Sequence, residues 1–107
     1  MTNILIIGLG SVGKQYLHAA IEQSKNVYFY DPKVTHYETA TYFDIEKKNK
    51  TDIYFEKIIF CDYSFTRVAN YKKIKHLNCN KYIFEKLVTN SYEDVKYLRD
   101  QIKKNKD

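Results

Sequence analysis

Residues 3–13 have the sequence NILIIGLGSVG, an apolar run that passes directly into a glycine-rich turn. The run Asn3–Ile7 lacks polar alternation, which is typical of a parallel strand covered on both faces. Ser11–Ser24 carries apolar residues at helical spacing and predicts a helix packed against a sheet. Asn26–Tyr30 is rich in β-formers and stops at an Asp-Pro pair, so it predicts a second strand. Together these segments predict a right-handed βαβ unit.

The glycines of this turn match the pattern G-x-G-x-x-G at Gly8, Gly10 and Gly13. The match follows a buried strand and opens a helix, which is the context of dinucleotide-binding turns. Gly8 would permit the tight turn, Gly10 would let a pyrophosphate approach the backbone, and Gly13 would allow close helix–strand packing. The pyrophosphate would bind the free N–H groups at the helix start, around Ser11 and Val12. A plain strand-to-helix turn without a ligand is the alternative interpretation.

A carboxylate stands at the end of the second predicted strand. Asp31 follows the glycines at about the 20-residue distance of the acidic residue that accepts hydrogen bonds from the adenosine ribose. A carboxylate at this place repels a 2′-phosphate, so the predicted cofactor is NAD. The neighbouring Lys33 keeps NADP as an alternative, and an ordinary Asp-Pro turn is the alternative without a ligand.

The rest of the chain continues to alternate between strands and helices. The further predicted elements are a strand Thr39–Phe43, a short helix from Asp44 to Lys50, a strand Ile58–Cys61, a helix from Ser64 or Thr66 to Leu77, a strand Lys81–Phe84 and a helix Tyr92–Lys104. This alternation predicts an α/β fold with a doubly wound, Rossmann-like parallel sheet between helix layers and the strand order 3-2-1-4-5. No linker divides the 107 residues, so we expect a single domain over residues 1–107.

Composition and charge exclude several other classes of protein. The chain has 18 Lys and Arg against 13 Asp and Glu, but lysine far outnumbers arginine and is dispersed. Nucleic-acid-binding faces commonly use arginine, so we expect a solvated surface and no nucleic-acid partner. The apolar runs are too short for a membrane span or a secretory signal. Cys61 and Cys79 lack metal-ligand spacing, which predicts reduced thiols, no metal site and a cytoplasmic protein.

The end of the fifth predicted strand carries a further motif. Residues 82–87 have the sequence YIFEKL and are followed by Ser91 and an amphipathic segment. With the glycine motif, this resembles the N-terminal dinucleotide-binding domain of the Gfo/Idh/MocA oxidoreductases over nearly the whole chain. That family carries Glu-Lys-Pro here, with its lysine near the nicotinamide and the substrate. The resemblance implies that Lys86 is a catalytic residue, which polarises or orients a substrate hydroxyl, and that Glu85 binds the cofactor.

The sequence also departs from that family. Leu87 replaces the proline, Tyr63 stands where another proline is expected, and Arg67 lies near the position of a histidine. In the family, the turn that contains the last two positions passes close to the cofactor. The family's second α/β domain, which supplies most substrate contacts, has no counterpart in the chain. The resemblance therefore implies hydride transfer only together with a substrate domain.

Three functions are open on this basis. The first is the NAD(P)-binding domain of an oxidoreductase that acts on a sugar, a polyol or a sugar nucleotide. The second is a nucleotide-sensing Rossmann module, and the third is an interaction-only relative that has lost the cofactor. The expected partners are a nicotinamide dinucleotide and either a second copy of the chain or a separate substrate domain. The eleven tyrosines would favour self-association where they cover a bare face.

Overall fold

A five-stranded parallel sheet with helices forms the framework of the protein, which a computed structural model describes over residues 2–47, 52–62 and 64–85, together with Tyr97 and Asp100. The elements in chain order are β1 (Asn3–Ile7), α1 (Ser11–Glu22), β2 (Asn26–Tyr30), β3 (Thr41–Tyr42), β4 (Tyr54–Phe60), α2 (Ser64–Ile74) and β5 (Asn78–Phe84). The strands lie in the order β3-β2-β1-β4-β5. The predicted α/β class and the strand order 3-2-1-4-5 are confirmed.

The central strand β1 is covered on both faces. It pairs in parallel with β2 on one side and with β4 on the other. Because successive side chains of a strand point to opposite faces, Ile4 and Ile6 belong to the apolar cluster that includes α1. Leu5 and Ile7 belong to the cluster that includes α2. Each of them is at most 4% exposed, and burial of such a side chain contributes about 1.5–3 kcal/mol.

The strands β4 and β5 are longer than the sequence predicts. β4 begins at Tyr54 rather than at Ile58, and β5 begins at Asn78 rather than at Lys81. The added segments pair with each other from their first residues, Tyr54 with Asn78. Backbone hydrogen bonding therefore extends these strands where their side chains are too polar to predict them. β4 ends at Phe60, one residue before the predicted end.

Both helices end before their predicted ends. α1 stops at Glu22 because Ser24, its predicted end, has a positive φ of 59° that an α-helix does not allow. α2 begins at Ser64, one of its two predicted starts, and ends at Ile74 rather than at Leu77. None of the described helices is long and apolar enough to cross a membrane.

The middle of the chain differs most from the prediction. The third strand spans only Thr41–Tyr42 within the predicted Thr39–Phe43. The helix predicted from Asp44 is wrong in its described part, since residues 45–47 form a turn; residues 48–50 lie outside the described part. The side-chain carboxylate of Asp44 accepts a hydrogen bond from the N–H of Glu46 at 2.9 Å. This local bond favours a turn over a helix.

The predicted last helix, Tyr92–Lys104, lies outside the described residues except for two positions. Tyr97 and Asp100 are both helical. The ring of Tyr97 packs edge-on against Tyr71 of α2, with 6.4 Å between the ring centroids. Tyr97 thereby extends the apolar cluster on the α2 side of the sheet.

Candidate functional site

The strand order reverses between β1 and β4, and the loops that follow these two strands meet at the carboxyl edge of the sheet. From β1 the chain crosses to β2, whereas from β4 it crosses to β5 on the opposite side. The N–H of Cys61, just after β4, donates to the carbonyl of Ile7 at 2.7 Å. The N–H of Gly8 donates to the carbonyl of Tyr30 at 2.8 Å. In open α/β sheets, a crevice at such a switch point is the usual ligand site.

Two glycines of the turn are required by packing. Gly8 has a φ of 97°, and a Cβ atom there would lie 2.8 Å from the backbone nitrogen of Asp62. A Cβ atom on Gly13 would overlap the carbonyl oxygen of Gly8 and touch the Cβ of Cys61 at 3.5 Å. A side chain at either position would separate α1 from the end of β1. The roles predicted for these two glycines match their environments.

Gly10 has a different environment. A Cβ atom there would have no neighbour within 4 Å. Gly10 is the residue that precedes α1, and no side chain caps this helix end. The first turn also carries no acidic side chain, and Ser11 is exposed. The helix N-terminus, with its free N–H groups around Ser11 and Val12, is therefore open to an anion, and glycine keeps the approach clear.

Asp31 is held rigidly beside the glycine turn. Its Oδ2 accepts a hydrogen bond from the N–H of Leu9 at 2.8 Å. Its Oδ1 accepts from the N–H groups of Lys33 at 2.8 Å and Val34 at 3.1 Å. A carboxylate offers about four acceptor positions, so one remains for a ligand hydroxyl. The structure thus brings together Asp31 and the glycine motif, as the sequence predicts.

A cavity of about 530 Å³, the edge cavity, lies at the carboxyl edge of the sheet. Its walls are the glycine turn with Gly8 and Gly10, the end of β2 from Tyr30 to Val34, the loop with Cys61 and Asp62, and α2. The volume is within the range of small-molecule sites, about 300–1,000 Å³. Glu85 is not among the lining residues.

The polar face of α2 is a part of the site that the sequence analysis misses. Thr66, Asn70 and Lys73 line the edge cavity. Their spacing of four and three residues places them on one side of the helix. The prediction of this helix rests on the apolar residues Val68, Tyr71 and Ile74, which form the neighbouring side of the helix and pack on the sheet. The signal in the sequence that indicates this wall is the helical spacing of the polar residues Thr66, Asn70 and Lys73.

A chain of polar contacts closes the outer end of the edge cavity. The hydroxyl of Tyr30 donates to Oε1 of Glu46 at 3.2 Å, and Lys73 donates to the same oxygen at 2.6 Å. Burial, aided by the neighbouring carboxylate, raises the pKa of Tyr30 to about 12. The hydrogen bond from Lys73 is the main cause that lowers the pKa of Glu46. This contact ties α2 to the segment between β3 and β4.

Arg67 connects the ends of β4 and β5 and is another residue whose role the sequence does not predict. Its side chain is 3% exposed and forms an ion pair with Asp62, with 3.1 Å between Nε and Oδ1. It also donates to the carbonyl groups of Glu85 at 2.7 Å, Asp62 at 2.9 Å and Phe60 at 3.2 Å. The sequence analysis places Arg67 in the turn that passes close to the cofactor in the similar family. In the structure, Arg67 lies in the first part of α2, and its buried side chain holds this turn through Asp62.

Glu85 directly follows β5 and does not line the edge cavity. Its Oε2 accepts a hydrogen bond from the hydroxyl of Tyr16 on α1 at 2.6 Å. This bond is the main cause that raises the pKa of Tyr16. The carboxylate of Glu85 is therefore engaged with α1. Lys86, the catalytic residue implied by the resemblance, lies outside the described residues, as do Leu87 and Tyr63.

The two cysteines are free thiols. Burial raises the pKa of Cys61 to about 12 and that of Cys79 to about 11. Such thiols carry little thiolate at neutral pH, so Cys61 is a small packing residue in the cavity wall. Within residues 2–47, 52–62 and 64–85, no group of three His, Cys, Asp or Glu side chains could hold a metal ion.

Comparison with known proteins does not identify a family. No family model matches the chain, and none of the curated proteins compared with it matches it either. The features that indicate a function are therefore the glycine turn, Asp31 and the edge cavity.

Proposed function

We propose that this chain binds NAD and forms the cofactor domain of an oxidoreductase similar to the Gfo/Idh/MocA family. The observation that carries the proposal is the open space at Gly10, which precedes an uncapped helix N-terminus and lies beside Asp31 in the wall of the edge cavity. A Cβ atom at residue 10 would project into the place where a pyrophosphate would lie. The residues present fit the phosphate and ribose parts of a dinucleotide.

In this proposal, each polar group of the site has a separate task. The N–H groups of Ser11 and Val12 would bind the pyrophosphate, aided by the positive end of the α1 dipole. The remaining acceptor position of Asp31 would take a ribose hydroxyl. Its negative charge would disfavour a 2′-phosphate, which supports NAD over NADP. Lys33, exposed beside it, keeps NADP as the weaker alternative.

The proposed reaction is hydride transfer on a sugar, a polyol or a sugar nucleotide in a cytoplasmic enzyme. When bound, the nicotinamide ring supplies the hydride chemistry. The protein must also hold a substrate within reach of that ring, since proximity and orientation supply much of the rate. In the related family a second domain does this, so we expect no turnover by these residues alone. Lys86 remains the proposed catalytic residue.

A nucleotide-sensing module is the second candidate, and one observation favours it. The edge cavity is bounded by β1, β2 and α2, whereas Glu85, at the other half of the carboxyl edge, is bound to Tyr16. Such a site would hold an adenosine diphosphate group without needing the nicotinamide. Under this alternative, ADP-ribose binds as tightly as NADH. Under the oxidoreductase proposal, NADH binds more tightly.

Fluorescence titration with NADH, NADPH and ADP-ribose tests the proposed function. We expect micromolar-range binding of NADH, weaker binding of NADPH, and a loss of at least about tenfold in Gly10→Val, because the added side chain fills the phosphate position. Thr39→Val, at an exposed position outside the edge cavity, is the matched control and should bind as the wild type does. Absence of nucleotide binding by a protein with a folded circular dichroism spectrum would refute the proposal.

A further inference from the structure

Asn70 is a buried polar side chain in the wall of the edge cavity. It is only 9% exposed, although it lies on the polar face of α2. A buried side-chain amide is costly unless its donor and acceptor groups are used. Its Nδ2 donates to Oδ2 of Asp62 at 2.8 Å. This bond uses one of the two N–H donors of the amide and determines how the group is oriented.

The orientation of Asn70 follows from the charge of Asp62. A carboxylate only accepts hydrogen bonds, so the NH₂ end of the amide must point to Asp62. Asp62 is itself fixed, because Arg67 donates to its Oδ1 at 3.1 Å and Thr66 donates to its Oδ2 at 3.3 Å. The carbonyl oxygen Oδ1 of Asn70 therefore points away from this cluster.

That oxygen is available as an acceptor. In the described part of the chain, no hydrogen bond reaches Oδ1 of Asn70. In the same described part, every fully buried side-chain oxygen or nitrogen has a hydrogen-bond partner. Because Oδ1 of Asn70 has none, it is not fully buried. Oδ1 is thus accessible to a ligand from the edge cavity, which Asn70 lines. The neighbouring Lys73 and Glu46 are paired with each other at the rim.

We propose that Asn70 determines the base specificity of this site, and that its free acceptor selects a purine with an exocyclic amino group, adenine, over one with a carbonyl in its place; this rests on the proposed nucleotide binding. The glycine turn and Asp31 account for the phosphate and ribose parts of a ligand. Among the remaining walls, the polar face of α2 is the one that offers a side-chain acceptor beside the cavity, so the base lies against Asn70. Its 6-amino group donates to Oδ1.

Hypoxanthine differs from adenine at the atom that this contact recognises. Its 6-carbonyl oxygen would face the carbonyl oxygen of Asn70, so two acceptors would meet without a hydrogen between them. A site built for a hydrogen bond rejects such an analogue because its buried polar group is left unpaired. We expect hypoxanthine dinucleotide to bind about 10–100-fold more weakly than the adenine form.

Titration of the full chain with NADH and with reduced nicotinamide hypoxanthine dinucleotide tests this assignment. The wild-type protein should bind NADH about tenfold or more tightly than the hypoxanthine dinucleotide. In Asn70→Ala the preference should fall to about twofold or less, whatever happens to the absolute affinity through the lost Asp62 contact. Asn80→Ala, at an exposed asparagine of β5, is the matched control and should keep the preference.

The outcomes separate the two proposals. Equal binding of both dinucleotides by the wild type, or a preference that survives in Asn70→Ala, would overturn the role of Asn70 while leaving the nucleotide site intact. If neither dinucleotide binds to the folded wild type, the proposed function fails, and the base specificity fails with it.

Discussion

At the scale of single residues, Gly10 and Gly13 have opposite surroundings, and the same substitution separates them. We expect Gly13→Ala to lower the free energy of unfolding by about 2–4 kcal/mol, because the new Cβ would overlap the carbonyl oxygen of Gly8. Gly10→Ala should stay within about 1 kcal/mol of the wild type, since its Cβ meets nothing within 4 Å. Urea unfolding followed by circular dichroism measures both.

The pair also serves as its own control, because both variants add one methyl group to the same turn. Nucleotide affinity should fall in Gly10→Ala although its stability is retained. If Gly10→Ala proved as unstable as Gly13→Ala, glycine would be needed at residue 10 for folding. The open space there would then say nothing about a ligand.

At the scale of elements, Arg67 holds the end of β4, the end of β5 and the start of α2 together. In Arg67→Met the side-chain carboxylate of Asp62, which is 7% exposed, would keep a buried charge without its cation. We expect a loss of about 3–5 kcal/mol in the free energy of unfolding. Arg67→Lys should recover only part of it, because Arg67 makes four contacts from three nitrogens, whereas a lysine has a single nitrogen with three donors.

Urea unfolding midpoints provide the measurement for this network. Lys75→Met, at an exposed position just past α2, removes a positive charge without a buried partner and should change stability by less than about 0.5 kcal/mol. Similar midpoints for Arg67→Met and Lys75→Met would contradict the role assigned to Arg67.

The elements that the sequence predicts well are those whose signal is local. Asn3–Ile7 and Asn26–Tyr30 are observed with their predicted bounds, since each is an unbroken apolar or β-forming run that ends at a turn residue. The glycine turn and Asp31 lie within one βαβ unit, so their spacing alone places them together. The start of β4 is not predictable in this way, because Tyr54 joins the sheet by pairing with Asn78, which is distant in the sequence.

The α2 wall of the site illustrates the same limit. Asn70 reaches the edge cavity only because Asp62 and Arg67 fix the turn before α2, and these contacts are not visible in the order of residues. Asp44 shows the converse case. The sequence predicts a helix that begins at Asp44, but the side chain of Asp44 forms a turn with Glu46 instead. An aspartate at this position predicts that its side chain accepts a backbone hydrogen bond, but the residue type does not decide whether a helix or a turn supplies the donor.

At the scale of the whole molecule, the raised pKa values of buried thiol and tyrosine groups indicate that the free energy of unfolding falls at alkaline pH. Burial raises the pKa of Cys61 to about 12, that of Cys79 to about 11 and that of Tyr30 to about 12. The ordinary pKa values are 9.0 for a thiol and 10.0 for a tyrosine hydroxyl. Above pH 9, the unfolded chain therefore loses these protons first, and stability declines as pH rises towards 12.

Linkage for these three groups corresponds to a fall of about 4–5 kcal/mol in the free energy of unfolding between pH 8 and pH 10.5. Because both thiols are partly exposed and solvent screens them, we expect a fall of about 2–4 kcal/mol. Urea titrations in buffers of constant ionic strength measure this decline. A parallel absorbance titration at 295 nm should show that part of the tyrosines ionise only as the protein unfolds. A free energy that stays constant up to pH 10.5 would mean that the buried groups are as solvated as in the unfolded chain.

The most direct measurement for the whole account is a map of backbone amide shifts by NMR during titration of the protein with NAD. We predict that the largest changes fall on the amides of Leu9, Gly10 and Ser11 and on those of the loop after Asp31. The amides of Asn26 and Asn78, which begin their strands at the opposite edge of the sheet, should stay in place. Changes confined to that opposite edge, or no changes at millimolar NAD, would contradict a nucleotide site at the glycine turn.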